Sequence, residues 1–410
     1  MTEPIDRRAF LARTAALAAT GGVATPARAL EDVPPWSQTI GKPLSAYGQP
    51  SKFEASVQRA VAQPYGAIAP GTGPSRTPLH ALDGTITPNA LHFERHHNGV
   101  PEIDPAQHKL LIHGMVRKPL VFSMEALLRY PRTSRISFIE CGGNSGLNTS
   151  PKPPQLPAGP IHGLLSTSEW TGVPLRVLLD EAGAEPQAKW FLAEGADAAA
   201  MSHSVPLEKA FDDALVALYQ NGERLRPEQG YPVRLVLPGY LGNSNVKWLR
   251  RIKLVDSPAQ AKDETSKYTD PMPDGKARQF TLVMGVKSVI TRPCVGTKLS
   301  GPGWYEITGL AWSGAGKIRK VDVSTDGGAT WREATLQEPV FSKSATRFRI
   351  PWNWDGRAAR LQSRATDDAG RVQPTRAEWL PQYMPQQRYH NNSIQTWAIE
   401  SDGSIANVYA

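Results

Sequence analysis

A cysteine, Cys141, stands between a β-type run and a Gly-Gly-Asn turn. Residues 135–139 are rich in apolar residues, and the two glycines that follow Cys141 let other groups approach the sulfur closely. A thiolate at such a position could be a soft metal ligand, the nucleophile of a Cys-His enzyme, or an inert buried side chain. Because the turn is unusual for packing alone, the sequence favours a chemical role.

Three histidines and an arginine lie close together in residues 91–101, which read LHFERHHNGVP. A zinc site would need further ligands at zinc spacing, and no C-x-x-C or H-E-x-x-H motif provides them. Zinc, solvent-exposed histidines and a grip on an anion or cofactor all stay open. We favour the last, because a Pro-bounded loop holds the basic side chains together.

Two more segments could contact a ligand. Residues 230–249 lead from a strand-like run into a loop rich in Gly, Asn and Ser, with Arg234 and Lys247 at its ends. Backbone N–H groups and two cations suit a phosphate, although surface loops often have this composition. The acidic turn from Glu194 to Asp197 could accept hydrogen bonds from a heterocycle, and it is a weak signal by itself.

Short β-type and helical runs alternate between residues 80 and 256, which predicts an α+β or mixed α/β domain. Strands are predicted at 108–114, 135–139, 189–193 and 232–237, and helices at 124–130 and 175–182. Residues 30–79 are predicted to form an extended arm with one possible short helix at 53–62. Residues 257–280 are polar and Pro-containing, which indicates a linker.

From residue 281 to 410 the pattern changes to closely spaced strands with Gly-containing turns, which predicts an all-β, immunoglobulin-like sandwich. Residues 324–331 match the S-x-D-x-G-x-T-W box of sialidase-like propellers. Propellers repeat that box, whereas it occurs here once, so we interpret it as a hairpin turn. The stretch from residue 390 is expected to reach back towards the first domain.

The first residues predict export. Arg7 and Arg8 form a twin-arginine motif, a short apolar region follows, and residues 27–29 fit an A-x-A cleavage site, so residues 1–29 are a predicted signal peptide. The alternative is an ordinary basic amphipathic N-terminus. Twin-arginine signals carry folded cargo, which points to the periplasm and to a prosthetic group inserted beforehand. No window of 18 apolar residues predicts a membrane span.

The formal net charge is +8, and no run of Lys and Arg interleaved with aromatics suggests nucleic acid as a partner. An acidic protein partner suits this charge at least as well. A disulfide between the two cysteines, Cys141 and Cys294, is the alternative to a free thiol. Their surroundings place them in different domains and argue against it. Without a C-x-x-C-H motif we expect no c-type haem in this chain.

In this order the motifs resemble the sulfite oxidase family of molybdenum enzymes, from about residue 80 to the end. The matching segments are F-x-R-x-H from Phe93, C-G-G-N from Cys141, E-G-A-D from Glu194, residues 230–249, and residues 308–331, which look like the family's dimerisation domain. Within the family the closest resemblance is to the SoxC type, the molybdenum subunit of sulfane dehydrogenases, through ERHHNGVP, FIEC, LQSRATD and HNNSIQTW.

The resemblance implies a sulfite-oxidase-type domain binding one molybdenum–molybdopterin, with Cys141 as the metal ligand. It implies catalytic roles for Arg95, Cys141 and Tyr268, the last standing 21 residues after Lys247 in the linker. The residues implied in cofactor binding are Phe93, Arg95, His97, Cys141, Asp197, Gln229, Arg234, Asn245, Val246 and Lys247.

The resemblance also implies a periplasmic oxidation of sulfane sulfur on a carrier protein (SoxYZ-like), with electrons passing to a c-type cytochrome (SoxD-like) in the sulfur- and thiosulfate-oxidising pathway. A homodimer through the second domain within a heterotetramer is expected. Gly146 and the region of His390 lack the family's sulfite-binding arginines, and Gln229 replaces a histidine. Each lost charge-assisted hydrogen bond weakens free sulfite binding by roughly 1.5–3 kcal/mol. The alternatives are a sulfite dehydrogenase and an exported, non-catalytic immunoglobulin-like binding protein.

Overall fold

The computed structural model describes residues 35–62, 71–261, 263–383 and 389–409. The predicted signal peptide, residues 1–29, lies outside these ranges. Among the helices of the described segments, none combines the length and the apolar character that a membrane crossing requires.

The first domain is built on two five-stranded sheets. One is antiparallel and runs Glu223–Arg224, Leu215–Gln220, Leu165–Pro174, Thr133–Glu140, with Arg234–Val236 also paired to Leu215–Gln220. The other runs Leu120–Ser123, Lys109–Gly114, Leu249–Val255, Trp190–Gly195, Ser202–Pro206, with one parallel pair between Lys109–Gly114 and Leu249–Val255. The predicted strands at 108–114, 135–139, 189–193 and 232–237 are confirmed within a few residues.

Short helices join these strands. The α-helices are Met124–Leu127, Ala158–His162, Leu175–Ala182 and Leu207–Asp212, and the 3-10 helices are Leu79–Ala81, Asn89–Leu91, Gly146–Thr149, Pro227–Gln229 and Gly242–Ser244. Leu175–Ala182 forms as predicted, because its apolar residues recur every three or four positions and are buried, and Gly183 at φ 69° ends it. The helix predicted at 124–130 is shorter, Met124–Leu127.

The second domain is a sandwich of two antiparallel sheets. One contains Lys287–Arg292, Gly303–Trp312, Thr346–Trp354 and Thr335–Leu336, and the other Arg332–Glu333, Ile318–Ser324, Ala359–Asp367, Thr396–Ile399 and Ile405–Val408. A helix, Arg376–Trp379, and a 3-10 turn, Leu380–Gln382, follow the long strands. The box at 324–331 is a hairpin turn, as predicted: the Asp326 carboxylate accepts a 2.9 Å hydrogen bond from the Thr330 N–H.

The prediction of a helix at 53–62 is wrong. The segment contains a 3-10 turn, Lys52–Glu54, and a strand, Ala60–Val61, that pairs with Gly73–Arg76. Phe53 and Val61 are 83% and 76% exposed. A helix of this length is not stable without a buried apolar face. Pairing with an existing strand, in contrast, gives the backbone N–H and C=O groups hydrogen-bond partners. Gly73–Arg76 pairs in turn with Glu94–His96, so the arm reaches the histidine-rich segment.

The polar segment 257–280 is ordered wherever it is described. It forms a short helix, Glu264–Lys267, and a two-stranded hairpin of Asp270–Pro271 and Ala277–Arg278. Glu264 is fully buried, and its carboxylate accepts hydrogen bonds from the backbone and the hydroxyl of Ser204. This anchor fixes the residues just before Tyr268 on the first domain.

Candidate active site

One cavity of about 260 Å³ is lined by every residue that the family resemblance implies in catalysis or cofactor binding. It is bordered by Phe93, Arg95, His97, Cys141, Asp197, Gln229, Arg234, Asn245, Val246, Lys247 and Tyr268. These residues come from five separate segments of the chain, 93–97, 141, 197, 229–247 and 268. The lining also includes Lys267 and Tyr389, which sequence reasoning missed. It further includes members of the two ligand-contacting segments that were not named individually in the cofactor set: His92, His96, Asn243 and Trp248.

Cys141 lies at the end of the strand Thr133–Glu140, with its sulfur on the cavity wall. Its N–H donates to the Leu164 carbonyl at 3.0 Å, and its carbonyl accepts from the Asn144 N–H at 2.9 Å. The loop at Gly242 passes so near that a Cβ there would lie 2.7 Å from the Glu140 carbonyl oxygen, which only glycine tolerates. Cys141 and Cys294 are both free thiols, which confirms that they are not paired.

Two cationic side chains of the cavity, the buried Arg234 and the half-buried Lys247, are not neutralised by direct contact with a carboxylate of the described residues. Arg234 is 3% exposed and donates to the carbonyls of Gln229 and Asn245, both at 3.0 Å. Lys247 donates to the carbonyls of Arg95 and Glu228, both at 3.2 Å. Among the described residues neither cation has an acidic group within 4.0 Å. Burial lowers the pKa of Arg234 to about 9. Burial also lowers the pKa of Lys247 well below its ordinary value, and the positive charge of Arg234 adds to this effect.

A chain of polar contacts connects Lys247 to the arm. Lys247 donates to Nδ1 of His96 at 2.7 Å, and Nε2–H of His96 donates to Glu94 at 2.8 Å. Glu94 is ion-paired with Arg59, which also donates to the His92 carbonyl. The donor at Nδ1 and the acceptor at Nε2 fix the tautomer of His96, so the Lys247 ammonium has a defined direction at the cavity wall.

Polar atoms without partners among the described residues gather at the same wall. Both side-chain atoms of Asn243, Nε of Arg234 and Nε2 of His92 are buried and unbonded. Burial, assisted by the positive charges of Arg234 and Lys247, lowers the pKa of His92 to about 3. His92 is therefore neutral; Nδ1–H donates to the Phe93 carbonyl at 3.0 Å, which leaves Nε2 as an acceptor. Buried polar atoms of this kind need a ligand.

The other polar residues of the predicted site also have hydrogen-bond partners. Gln229 donates to the Phe93 carbonyl at 3.0 Å, and Asn245 accepts from the Leu237 N–H at 2.7 Å. Asp197 accepts from the Met201 N–H at 3.2 Å and borders the cavity. Glu194 points elsewhere: it is ion-paired with Arg250 and Arg251. Of the acidic turn, therefore, Asp197 alone faces the cavity.

Two tyrosines line the cavity beside the Cys141 turn. The rings of Tyr268 and Tyr389 are stacked, and a Cβ at Gly143 would lie 3.5 Å from the Tyr389 ring. His390 follows; it is buried, its Nε2 lies 3.6 Å from Asp270, and burial lowers its pKa. No feature of the sequence predicted Tyr389 as a site residue. It lies just before residue 390, where the stretch expected to reach back to the first domain begins.

The geometry narrows the chemical alternatives. No group of three His, Cys, Asp or Glu side chains among the described residues could hold a metal by itself, so zinc at residues 91–101 has no support. Burial raises the pKa of Cys141, although the Arg95 charge acts in the opposite direction. A nucleophilic cysteine needs a lowered pKa, whereas a metal ligand is deprotonated by the metal that it binds, so the raised pKa argues against the nucleophile and not against the ligand.

Comparisons with known proteins identify the two domains. The family model of the oxidoreductase molybdopterin binding domain matches residues 97–262, and that of the Mo-co oxidoreductase dimerisation domain matches residues 278–397. A chain in the crystal structure of the sulfane dehydrogenase SoxCD from Paracoccus pantotrophus is 45% identical, with a TM-score of 0.90. That match covers 94% of this chain and all of the other.

Longer relatives match over the same region. Nitrate reductase (NADH) of Solanum lycopersicum is 31% identical over 349 residues, which is 74% of this chain and 38% of the relative. Mitochondrial sulfite oxidase of Drosophila melanogaster is 31% identical over 322 residues, which is 72% of this chain and 56% of the relative. This chain thus spans only 38% and 56% of these two proteins.

The fold and the site define a molybdopterin-binding oxidoreductase domain followed by a β-rich dimerisation domain. The chain belongs to the sulfite oxidase family of molybdenum enzymes, and it is similar to the SoxCD sulfane dehydrogenase over nearly its whole length. The α+β domain followed by a β-sandwich, predicted from the sequence, is confirmed.

Proposed function

We propose that this chain is the molybdenum subunit of a sulfane dehydrogenase, which oxidises sulfane sulfur attached to a carrier protein. When bound, molybdenum–molybdopterin supplies two-electron oxidation with oxygen transfer. The residues fit this group: Cys141 offers a soft ligand, and the buried Arg234 and half-buried Lys247 are cations that a phosphate would neutralise. The unbonded atoms of Asn243 and His92 suit a hydrogen-bonding heterocycle.

Each residue then has a role set by its place on the wall. Cys141 would hold the metal, Arg234, Asn245, Val246 and Lys247 the phosphate end, and Asp197, Gln229, Phe93 and His97 the body of the cofactor. Arg95 would stabilise negative charge that develops on oxygen. Burial raises the pKa of Tyr268, so its hydroxyl remains a hydrogen-bond donor throughout the neutral range.

The observation that carries the substrate proposal is the aromatic wall beside Cys141. Tyr268 and Tyr389 form it, and His390, in the region where the family resemblance implies an arginine, lies outside the cavity lining. A free dianion gains little from two phenol rings. A sulfane group at the end of a carrier arm carries less charge and suits this wall better.

The remaining parts of the proposal follow from the sequence and the SoxCD similarity. Electrons would leave to a separate c-type cytochrome, and the twin-arginine signal would export the folded protein to the periplasm. The β-sandwich would form a homodimer within a heterotetramer.

The test combines metal analysis with substrate competition. The purified protein should contain about one molybdenum per chain. With a c-type cytochrome as acceptor, kcat/KM for carrier-bound sulfane should exceed kcat/KM for free sulfite, with the Cys141→Ser variant as the inactive control. Higher kcat/KM for sulfite would establish the sulfite dehydrogenase alternative, which the similarity to sulfite oxidase favours. Absence of molybdenum would favour a non-catalytic binding protein.

A further inference from the structure

The turn that carries Cys141 is held from both sides by the second domain. Before it, Glu140 is 2% exposed, and its two carboxylate oxygens accept three hydrogen bonds. Asn144 and Lys287 donate to Oε1 at 2.9 and 3.3 Å, and the Trp312 indole donates to Oε2 at 2.7 Å. Lys287 and Trp312 are cross-strand partners in the β-sandwich, so one sheet of that domain fixes the residue adjacent to the thiol.

After the cysteine, the same domain contacts the turn again. Lys287 donates to the Ser145 hydroxyl at 2.6 Å, and Ser145 has φ of 64°, an uncommon conformation for a residue with a side chain. His390 N–H donates to the Gly142 carbonyl at 2.9 Å, and Asn391 donates to the Ser145 carbonyl at 3.3 Å. Lys287 therefore contacts residues on either side of Cys141.

Lys287 is well suited to hold this turn rigidly. It is 2% exposed, and its ammonium lies 5.5 Å from the centre of the Trp312 ring. Removing one partner of a buried ion pair leaves the other charge without compensation, so the surrounding backbone rearranges to reach water or another donor. The backbone attached to Glu140 is the Cys141 turn.

We propose that Lys287 is a positioning residue for Cys141, and that the β-sandwich domain is thereby a structural part of the active site in addition to any role in dimerisation. The proposal concerns the orientation of the thiol and goes beyond the proposed function. It can be measured on the full-length chain without cofactor.

The test is the alkylation rate of each cysteine by iodoacetamide in full-length, cofactor-free protein. Lys287→Met should raise the rate at Cys141 by at least about tenfold, because the turn then opens locally. Cys294, in the core of the β-sandwich, should keep its rate and so report on global unfolding. Loss of a positive charge alone would slow alkylation, since the thiolate is the reactive form.

Lys209→Met is the matched control. Lys209 is 4% exposed and ion-paired with Asp213, so it has the same chemistry without contacting the Cys141 turn. It should leave the Cys141 rate unchanged. If Lys287→Met does not fold, Trp312→Phe removes only the donor to Oε2 and should give a smaller rise at Cys141. An unchanged rate at Cys141, or a parallel rise at Cys294, would overturn the proposal.

A second measurement uses the cofactor-loaded protein. Lys287→Met should shift the thiolate-to-metal charge-transfer absorption and lower kcat while KM stays unchanged, because the ligand is displaced and the substrate wall is intact. The two proposals fail on different results. Wild-type protein without molybdenum would contradict the proposed function, whereas the alkylation rates of the cofactor-free protein decide whether Lys287 positions the thiol.

Discussion

Tyr268 and Tyr389 stack with their ring centroids 5.8 Å apart and an interplanar angle of 26°. One comes from the segment between the domains and the other from near the C-terminus, yet together they cover the turn at Cys141. The edge of the His203 ring lies against Tyr268, with centroids 5.6 Å apart, and buttresses the stack from the first domain. The wall beside the thiol is therefore assembled from three distant parts of the chain.

Tyr268→Phe should lower kcat by roughly tenfold to a hundredfold, because it removes one hydrogen-bond donor from the reacting region. The ring stack is preserved, so KM and the molybdenum content should change little. Steady-state kinetics with metal analysis measures both. Tyr305→Phe is the control, because it removes a hydroxyl that donates to the Gly301 carbonyl in the second domain. It should leave kcat, KM and the molybdenum content unchanged. An unchanged kcat in Tyr268→Phe would remove the hydroxyl from the mechanism.

Cys141→Ser should abolish turnover and leave the free energy of unfolding of the cofactor-free protein within about 1 kcal/mol, because the side chain is only partly buried and Ser is of similar size. Cys294→Ala should have the opposite effects. It should keep full turnover and lower the free energy of unfolding by about 1 kcal/mol or more, because it leaves a cavity in the β-sandwich core. Activity assays and urea unfolding distinguish them, and full turnover by Cys141→Ser would contradict the ligand assignment.

Lys247→Met should weaken cofactor retention by at least about tenfold, since a charge-assisted hydrogen bond to an anion contributes roughly 1.5–3 kcal/mol. The cofactor-free variant should be no less stable than the wild type, because the pKa of Lys247, which burial lowers, marks a cation that costs free energy while no anion is bound. Molybdenum content after dialysis and urea unfolding test both effects. Lys298→Met, which breaks an exposed ion pair with Asp402, should change neither.

His92 should make stability depend on pH. Its pKa is about 3 in the folded protein and 6.5 in the unfolded chain, so the unfolded chain takes up a proton first on acidification. The stability that His92 contributes is present above pH 6.5 and is lost progressively towards pH 3. Between pH 6.5 and about pH 5 the loss is about 2 kcal/mol.

The comparison is with His92→Phe, which stays neutral at every pH and should lack this contribution. Urea unfolding of both cofactor-free proteins at about pH 7.5 and about pH 5 gives the difference. His113→Phe is the control; His113 is only half-buried, so its removal should alter the pH dependence less. Equal pH dependence of wild type and His92→Phe would show that the imidazole is not buried as a neutral group.

The sequence by itself determined the local elements that have a strong period and clear ends. The helix Leu175–Ala182 and the strand Gly303–Trp312 follow from their own patterns, because the burial of one face and the residues at their ends suffice to select them. The motifs at Cys141, Arg234 and Lys247 also predicted a soft metal ligand and an anion-binding site.

Only the tertiary structure decided what surrounds the thiol. Residues 53–62 lack a helix because a neighbouring strand offers them partners, and the polar segment before Tyr268 is ordered because one buried carboxylate, Glu264, anchors it. Tyr389, Lys287 and Trp312 lie more than a hundred residues from Cys141, and no local pattern encodes such contacts. Their placement depends on how two separately folded sheets bury their apolar faces, which is a property of the whole chain.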